Sequence, residues 1–339
     1  MELHSTQLGE FDLIQRFFKK QSEAMLAKNP GSVSLGIGDD CALLKTEPNH
    51  EIAITSDMLV EGRHFFADTK PEYLGWKALA VNLSDLAAMG AQPIGFTLAI
   101  ALPKADAAWL EAFSKGLFSI ANTHACPLIG GDTTAGPLNI CITAFGAIPV
   151  NKSIQRSGAL AGDDIWVSGI VGDARLTLAA LRHEITLPQN DLEIIQERMH
   201  EPKPRVELGI ALRSAATSAI DVSDGLLGDL KHILKQSNKD AEVWLDQIPK
   251  STTLLKQSKE LQNRFAAAGG DDYELCFTAP TSKRDVIKQI GQDLKLPLTR
   301  IGTVKPRQND SLNIALKHDD GELSPDQVNT MLQSFDHFA

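Results

Sequence analysis

Apolar residues alternate with polar or small ones along three segments of the first half of the chain. The alternation predicts strands with one buried face, at 52–54, 96–102 and 139–148. Elsewhere the apolar residues recur at helical spacing, which predicts helices over 10–18, 72–89 and 110–124. Gly90 and Pro93 follow the middle helix and are typical of a helix end.

The second half of the chain also mixes strands and helices. Residues 149–164 are polar and rich in turn-forming residues, and we interpret them as a domain boundary. Beyond them the pattern predicts strands at 165–168, 219–220, 243–245 and 275–277, a helix ending near Arg182, and helices starting near Arg205 and Asp224. Because 339 residues exceed one typical core, we expect an α+β (mixed α/β) fold in two domains, 1–150 and 151–339.

The composition is that of a globular protein, with 43% hydrophobic and 22% charged residues. A net charge of −10 and a pI near 5.4 argue against nucleic acid or an anionic membrane as partner. No apolar run reaches the ~18 residues of a membrane span, and residues 1–20 lack an apolar signal core. The four scattered cysteines indicate thiols in a reducing cytoplasm, so we expect a cytoplasmic protein.

Acidic residues beside Gly, Ser or Thr recur where the predicted strands and helices end. Six such runs occur, at 36–40, 55–57, 83–85, 130–134, 221–225 and 269–274. Their carboxylate and hydroxyl oxygens are suitable ligands for hard cations such as Mg²⁺, which often bind together with a phosphate. The six runs together indicate a polyphosphate site built around metal ions.

Each run taken alone also has an ordinary structural explanation. Asp39 and Asp40 follow two glycines and fit a turn, and Thr55-Ser56-Asp57 fits a cap. Asp85 lies inside the predicted helix 72–89, on the same side as Asn82. Because an unpaired buried carboxylate is very costly, Asp85 must face water, a cation or a partner.

Two further runs have positions that suit anions. Gly131-Asp132-Thr133-Thr134 is predicted to be a tight turn after a short strand, with backbone N–H groups that can hold phosphate. Asp221 is predicted to end a strand, and Ser223 or Asp224 to cap the next helix, where N–H groups and the helix dipole favour anions. A plain N-cap would explain Asp224 but not Asp221.

Common nucleotide-binding and catalytic signatures are missing from the sequence. It has no Walker motif, no protein-kinase signature set and no Gly-x-Ser-x-Gly elbow. Gly169-Ile-Val-Gly172 is too short for a dinucleotide fingerprint, which leaves a phosphate-facing turn or a packing turn. The nine histidines show no metal-ligand spacing, and His64 alone also fits a structural role.

Seven segments, in the same order and across essentially the whole chain, resemble the thiamine-monophosphate kinase family. They are 36–44, 55–65, 77–91, 128–134, 219–226, 269–277 and the terminal Phe-Asp-His-Phe at 335–338. In outline, 77–91 and 219–226 are shared with aminoimidazole ribonucleotide synthetase and selenophosphate synthetase. The segment 269–277 and the terminal tetrapeptide are more particular to the thiamine kinase.

This resemblance implies an enzyme that transfers the ATP γ-phosphoryl group to thiamine monophosphate, giving thiamine diphosphate and ADP. It implies several Mg²⁺ ions, with ATP as co-substrate, and a homodimer whose N-terminal domains pair strands into a shared β-barrel flanked by helices. Residues 1–150 would bind metal and ATP and form the dimer. Residues 151–339 would form an α/β domain that completes the nucleotide and substrate site.

The resemblance also implies roles for individual residues. The metal ligands would be Asp39, Thr55, Ser56, Asp57, Asp85, Asp132, Asp221 and Asp224. The ATP contacts would be His124, Gly131, Asp132, Arg156 and Ser223. The thiamine-phosphate contacts would be His64, Asp271 and Phe335. Asp57, Asp132 and Arg156 would carry the catalysis.

Three of these positions depart from the commoner family pattern. His124 stands where the family often has a Tyr near the adenine, and an imidazole can also stack on a purine. Asp271 stands where many members have Glu, and its shorter side chain needs a water or a small shift to reach the same cation. Phe335 replaces a Tyr or Trp, so it can stack on a ring but cannot donate a hydrogen bond.

Two other functions remain open from the sequence. One is another ATP-dependent enzyme of the same superfamily, acting on formylglycinamidine ribonucleotide or on selenide. The selenide route usually brings a reactive Cys or selenocysteine near the N-terminus, and the first cysteine here is Cys41. The other is a non-enzymatic module that holds structural Ca²⁺, whose loops follow a short repeated spacing that is missing here.

Overall fold

The structure is a computed structural model that describes residues 9–29, 31–318, 323 and 325–332. The chain divides into two compact units. Unit 1 is formed by the residues up to Leu86 and by Ala91–Val150, and unit 2 by Ala87–Gly90 and the residues from Asn151 onwards. Each unit contains one main β-sheet together with helices, which confirms the predicted mixed α/β fold.

The strands of unit 1 form a small pair and a larger sheet. They are β1 (Val33–Leu35), β2 (Leu43–Leu44), β3 (His50–Val60), β4 (Gln92–Leu102), β5 (Leu128–Ala135) and β6 (Asn139–Pro149). Strands β1 and β2 pair with each other, and the others form a four-stranded sheet in the order β3-β6-β4-β5. Neighbours are antiparallel except β4 and β5, which are parallel. No closed barrel is seen in the part of the chain that the structure describes.

The three strands predicted in the first half are confirmed, since 52–54, 96–102 and 139–148 lie in β3, β4 and β6. Alternate residues of β4 are buried, as the pattern requires: Phe96, Leu98, Ile100 and Leu102. The opposite face of the sheet is exposed at β3, where Ile52, Ile54 and Met58 are 40%, 64% and 53% accessible.

The helices of unit 1 begin with a segment that is longer and less regular than predicted. Helix α1 (Glu10–Leu13) passes through a π-helical stretch, Ile14–Lys19, into α2 (Lys20–Lys28). The helices predicted at 72–89 and 110–124 are confirmed as α3 (Pro71–Ala88) and α4 (Ala107–Thr123). Asp106 caps α4, because its side chain accepts hydrogen bonds from the N–H groups of Ala108 and Trp109.

The turn predicted at Gly131–Thr134 is wrong. These residues lie inside β5 and continue its parallel pairing with β4, with Gly131 opposite Leu98 and Asp132 opposite Ala99. Gly131 has φ of 149°, and a Cβ there would collide with the carbonyl oxygen of Leu98. The glycines therefore allow close contact between two strands, where local reading suggested a loop.

Unit 2 is built around a six-stranded sheet in the order β12-β9-β11-β7-β10-β8. Its strands are β7 (Asp164–Ser168), β8 (Ser218–Asp221), β9 (Lys239–Trp244), β10 (Leu275–Ala279), β11 (Leu298–Pro306) and β12 (Ile314–Lys317). Its helices are α5 (Asp173–Leu181), α6 (Gln189–His200), α7 (Val206–Leu212), α8 (Leu226–Ser237), α9 (Thr252–Leu255), α10 (Lys259–Ala268), α11 (Arg284–Asp293) and α12 (Pro325–Leu332).

The predictions for the second half hold for the elements that they covered. Strands β7, β8 and β10 and helices α5 and α7 lie where expected. Strand β9 ends at Trp244, and Leu245 begins a short 3₁₀ turn instead of continuing the strand. Among the described residues, no helix is both long and apolar enough to cross a membrane. The four cysteines are free thiols.

Candidate functional site

Three oxygen-bearing side chains from β3 and α3 come together in unit 1. The Thr55 hydroxyl donates a hydrogen bond to Asp85 Oδ2. Burial, followed by the charge of Asp85, raises the pKa of Asp57 to about 6. Thr55 and Asp57 are two residues apart in a strand, so both side chains are on the face that contacts α3. The structure thus brings together three of the predicted metal ligands.

A buried amide lies one helical turn before Asp85. Asn82 is fully buried and donates from Nδ2 to the carbonyl oxygen of Ala78, at 3.1 Å. Its Oδ1 has no hydrogen-bond partner among the described residues. The atoms of these four side chains that could bind a metal ion are all oxygens, which is the ligand type that Mg²⁺ prefers. Across the described residues, no group of three or more His, Cys, Asp or Glu side chains is already close enough to hold a metal ion.

Two predicted ligands lie on the other face of the sheet. The Ser56 side chain points away from its neighbours Thr55 and Asp57, and its hydroxyl is 3.0 Å from Thr143 Oγ1. Asp132 is in register with Ala99, which is in register with Cys141 on this same exposed face. Strands β3 and β5 are also opposite edges of the sheet, about 14 Å apart at three inter-strand spacings. A single copy of unit 1 therefore does not bring the side chains of Asp57 and Asp132 together.

The other predicted residues of unit 1 are placed separately. Asp39 is exposed in the turn that follows Gly38, which has φ of 138°. His64 is half-buried, and its Nδ1 accepts a hydrogen bond from the Val60 N–H at 3.0 Å. The ring therefore carries its proton on Nε2 when neutral. His124 is buried at the C-terminal end of α4.

The turn between β8 and α8 in unit 2 differs from its prediction. Asp221 is buried at the end of β8, as expected. The N-cap of α8 is Gly225, so the prediction of Ser223 or Asp224 at that position is wrong. The N–H groups of Ser223, Asp224 and Gly225 all donate to Asp229 Oδ2, at 3.0, 3.1 and 3.1 Å. These N–H groups are therefore already occupied by a carboxylate.

Asp229 is a residue that the sequence analysis missed. Burial, with a contribution from the charge of Asp224, raises the pKa of Asp229 to about 7, against the effect of the three N–H donors. The local signal is an Asp in the first turn of α8, which suits the positive end of a helix. The sequence does not reveal that this side chain turns back to the preceding loop.

The acidic loop before β10 contacts the same turn. The Asp271 N–H donates to the Ser223 carbonyl oxygen at 2.8 Å, and the Tyr273 hydroxyl is 3.1 Å from Asp271 Oδ1. Arg156 is exposed, and its charge contributes to lowering the pKa of His232 on α8, after burial. The charge of Asp224 has the opposite effect and raises the pKa of His232. In unit 2 the structure therefore brings together Ser223, Asp224 and Asp271. The Arg156 carbonyl oxygen instead accepts from Ser237, the last residue of α8, at 3.3 Å, and Phe335 lies outside the described residues.

Comparison with known proteins identifies the chain. Residues 38–148 match the AIR synthase related proteins, N-terminal domain. Thiamine-monophosphate kinase of Salmonella typhimurium is 46% identical over 296 residues, which are 87% of this chain and 90% of the relative. The crystal structure of thiamine-monophosphate kinase from Stenotrophomonas maltophilia has a TM-score of 0.83 and 43% identity, over 93% of this chain and 98% of that chain.

A solved structure of AaThiL complexed with AMPPCP and TMP has a TM-score of 0.71 and 28% identity, over 96% of this chain and 97% of that chain. The fold and the matched N-terminal domain place the chain in the AIR synthase related class. Within that class, it belongs to the thiamine-monophosphate kinase family.

Proposed function

We propose that this protein transfers the γ-phosphoryl group of ATP to the phosphate of thiamine monophosphate, giving thiamine diphosphate and ADP. The observation that carries the proposal is the group formed by Thr55, Asp57 and Asp85, in a chain that is 46% identical to a thiamine-monophosphate kinase. The AaThiL complex supports the same pair of ligands, since it holds AMPPCP and TMP.

The donor set of unit 1 fits Mg²⁺. Thr55, Asp57 and Asp85 would hold one ion, and the buried Oδ1 of Asn82 lies one turn away. Mg²⁺ usually takes one or two carboxylates and completes its shell with water and substrate phosphates, so a complete protein cage is unnecessary. When bound, the ions offset the repulsion between the acceptor phosphate and the triphosphate and align the reacting oxygens. Asp39, Asp221 and Asp224 are the further ligands that we propose.

The protein's own groups bind and orient the two reactants. The acceptor is a phosphate oxygen that is already ionised at neutral pH, so no strong general base is needed. We propose direct in-line transfer without a phosphorylated enzyme. His64, Asp271 and Phe335 would contact thiamine monophosphate. The ATP contacts would be His124, Gly131, Asp132, Arg156 and Ser223, and the Arg156 guanidinium would stabilise the charge on the transferred group.

We also propose a homodimer in which the sheets of unit 1 close a shared barrel. The exposed apolar side chains of β3, Ile52, Ile54 and Met58, would then be buried against the second copy. Within one chain, Asp57 and Asp132 are at opposite edges of the sheet. A second copy whose β5 edge lies beside β3 would bring Asp132 of the partner subunit to the strand edge that carries Asp57, on the outward face that Ser56 lines.

The direct test is to incubate the protein with ATP, Mg²⁺ and thiamine monophosphate and to measure thiamine diphosphate. Asp57→Asn should lower turnover by at least about 100-fold, because it removes a charged ligand and with it the metal. Asp106→Asn is the matched control, since Asp106 caps α4 and its amide replacement can still cap the helix.

Product formed instead from formylglycinamidine ribonucleotide or selenide would support a different enzyme of the superfamily. Full turnover of the Asp57→Asn protein at ordinary Mg²⁺ concentration would contradict the proposed role of Asp57.

A further inference from the structure

The acidic loop Gly269–Glu274 has an unusual backbone. Asp271 and Tyr273 have φ of 66° and 50°, a left-handed conformation that non-glycine residues rarely adopt. Three backbone hydrogen bonds join the loop to the turn after β8: Asp271 N–H to Ser223 O, Tyr273 N–H to Val222 O, and Val222 N–H to Glu274 O, each 2.8 Å. A left-handed conformation is costly for residues other than glycine, so contacts with the rest of the fold must hold Asp271 and Tyr273 in it.

Asp272 and Glu274, which follow Asp271 and Tyr273 in the chain, provide these contacts through their buried carboxyl groups. Asp272 is 6% exposed, and both of its carboxylate oxygens accept from the Gly172 N–H, at 3.0 and 2.9 Å. Glu274 is 1% exposed and accepts from Ser168 Oγ at 2.6 Å and from Arg205 Nε at 2.6 Å. Arg198 Nη1 is a further donor to Glu274, at 3.1 Å.

The glycine pair at 169–172 is explained by the same two carboxylates. A Cβ at Gly169 would collide with the carboxylate of Glu274. Gly172 has φ of 93° and supplies the N–H that Asp272 accepts. Gly169-Ile-Val-Gly172 is therefore a packing turn shaped around the acidic loop, and its Gly172 N–H is already used by a carboxylate.

Glu274, with Arg198 and Arg205, forms a buried ion pair, which is an expensive way to stabilise a fold. Well-packed apolar residues of the same volume are often as stable as a buried ion pair or more stable, so stability alone does not explain the pair. The explanation that we consider is the geometry that it fixes. Asp272 and Glu274 are one and three residues after Asp271, for which we propose a contact with the substrate. The Ser168 hydroxyl also accepts from the Leu275 N–H at 2.9 Å, which fixes the start of β10 directly after the loop.

We propose that Glu274, held by Arg205, Arg198 and Ser168, and Asp272, held by Gly172, are positioning residues that set the place of Asp271 for the acceptor substrate. This inference rests on the proposed function, in which Asp271 contacts thiamine monophosphate. Glu274 and Asp272 do not touch the substrate themselves. They act by keeping Asp271 against Ser223 in its left-handed conformation.

The first test compares kinetics of the full-length protein. Glu274→Gln should raise KM for thiamine monophosphate at least about 10-fold, because a small displacement of a binding group has large effects, while KM for ATP stays within about twofold. Asp271→Ala should also raise the acceptor KM. In the Asp271→Ala background, Glu274→Gln should add less than about twofold, because residues that act through one another are not additive.

Asp164→Asn is the matched control. Like Glu274, Asp164 is only 1% exposed and is paired with two arginines, Arg284 and Arg300. It begins strand β7, whereas Ser168, which contacts Glu274, ends that strand. It should lower the melting temperature and leave the acceptor KM unchanged. If Glu274→Gln is unstable, Arg198→Met is the second variant, since it keeps the Arg205 pair and removes a donor that is 30% exposed.

Hydrogen exchange gives a readout that does not depend on turnover. Glu274→Gln should speed amide exchange of the peptide that contains Asp271 and Tyr273, and Asp164→Asn should not. Equal effects of Glu274→Gln on both KM values, or full additivity with Asp271→Ala, would overturn the proposal. So would unchanged exchange of this peptide. A wild-type protein that makes no thiamine diphosphate would instead count against the proposed function and leave the exchange result as the test of positioning.

Discussion

At the scale of single residues, the folded protein disfavours the ionised form of Asp57, and a bound cation would favour it. Its burial and the neighbouring charge of Asp85 make the ionised form unfavourable, and its pKa rises from 3.8 to about 6. A bound cation favours the ionised form and reverses this penalty. A residue that is costly to the empty protein and useful to the loaded one is typical of a binding site, where stability is given up for function.

The cost of Asp57 predicts a pH-dependent gain in stability for Asp57→Asn in metal-free protein. The folded pKa lies above the unfolded value, so the penalty is absent below about pH 4, grows as the pH rises, and is complete above about pH 6. Two units of pKa correspond to about 3 kcal/mol, which is the upper size of the gain above pH 6. Urea unfolding with EDTA, from pH 4.5 to 7.5, measures it. A difference that is the same at every pH would show that charge is not its cause.

At the scale of elements, α3 and α4 cross at two glycines. A Cβ at Gly75 would collide with the carbonyl oxygen of Phe113, and a Cβ at Gly116 with the carbonyl oxygen of Glu72. Because both neighbours are backbone atoms, the helices can be this close only without side chains at these positions. The crossing fixes α3, and α3 carries Asp85 to Thr55.

Gly116→Ala should therefore destabilise the protein by about 3 kcal/mol, the upper end of the usual cost of overpacking, because the helices must separate. The Thr55–Asp85 contact depends on the position of α3, so Mg²⁺-dependent activity should fall as well. Gly136→Ala is the control, because its Cβ would lie 3.5 Å from Ala101 Cβ, an ordinary contact. Thermal unfolding measures both variants, and equal melting temperatures would contradict the close crossing.

The elements that the sequence predicted well are those with one buried face and local signals. Helix α3 has a clear stop at Gly90, and β4 alternates strictly, so both were found. Strand β5 was misread because its glycines resemble a turn, and what makes it a strand is pairing with β4, about 30 residues earlier in the chain. Local patterns cannot report such a partner.

At the scale of the whole molecule, the sequence predicts that the acidic runs share one site, and the structure shows which of them meet within each unit. Thr55, Asp57 and Asp85 meet in unit 1, whereas the loops with Ser223 and Asp271 meet in unit 2. The sequence identified these residues by type. It could not assign Ser56 and Asp132 to the opposite face from Asp57, because that depends on the register of four strands.

The placement of Asp57 and Asp132 at opposite edges predicts complementation between subunits. If each site uses Asp57 of one subunit and Asp132 of the other, a heterodimer of Asp57→Asn and Asp132→Asn has one site with both defects and one intact site. Such a heterodimer, co-expressed with two tags and purified through both, should show about half of the wild-type turnover, although each homodimer is inactive.

Adding Ile54→Lys to both chains provides the control for this experiment, because a charge on the exposed apolar face of β3 should prevent pairing of the sheets. Co-purification through two tags should then fail, and mixed extracts should stay inactive. Ile194→Lys is the matched change, since Ile194 is 67% exposed on α6 in unit 2 and should leave complementation intact. An inactive Asp57→Asn/Asp132→Asn heterodimer would mean that the two carboxylates do not act across a subunit boundary. The exposed apolar face of β3 would then be the remaining argument for a shared barrel.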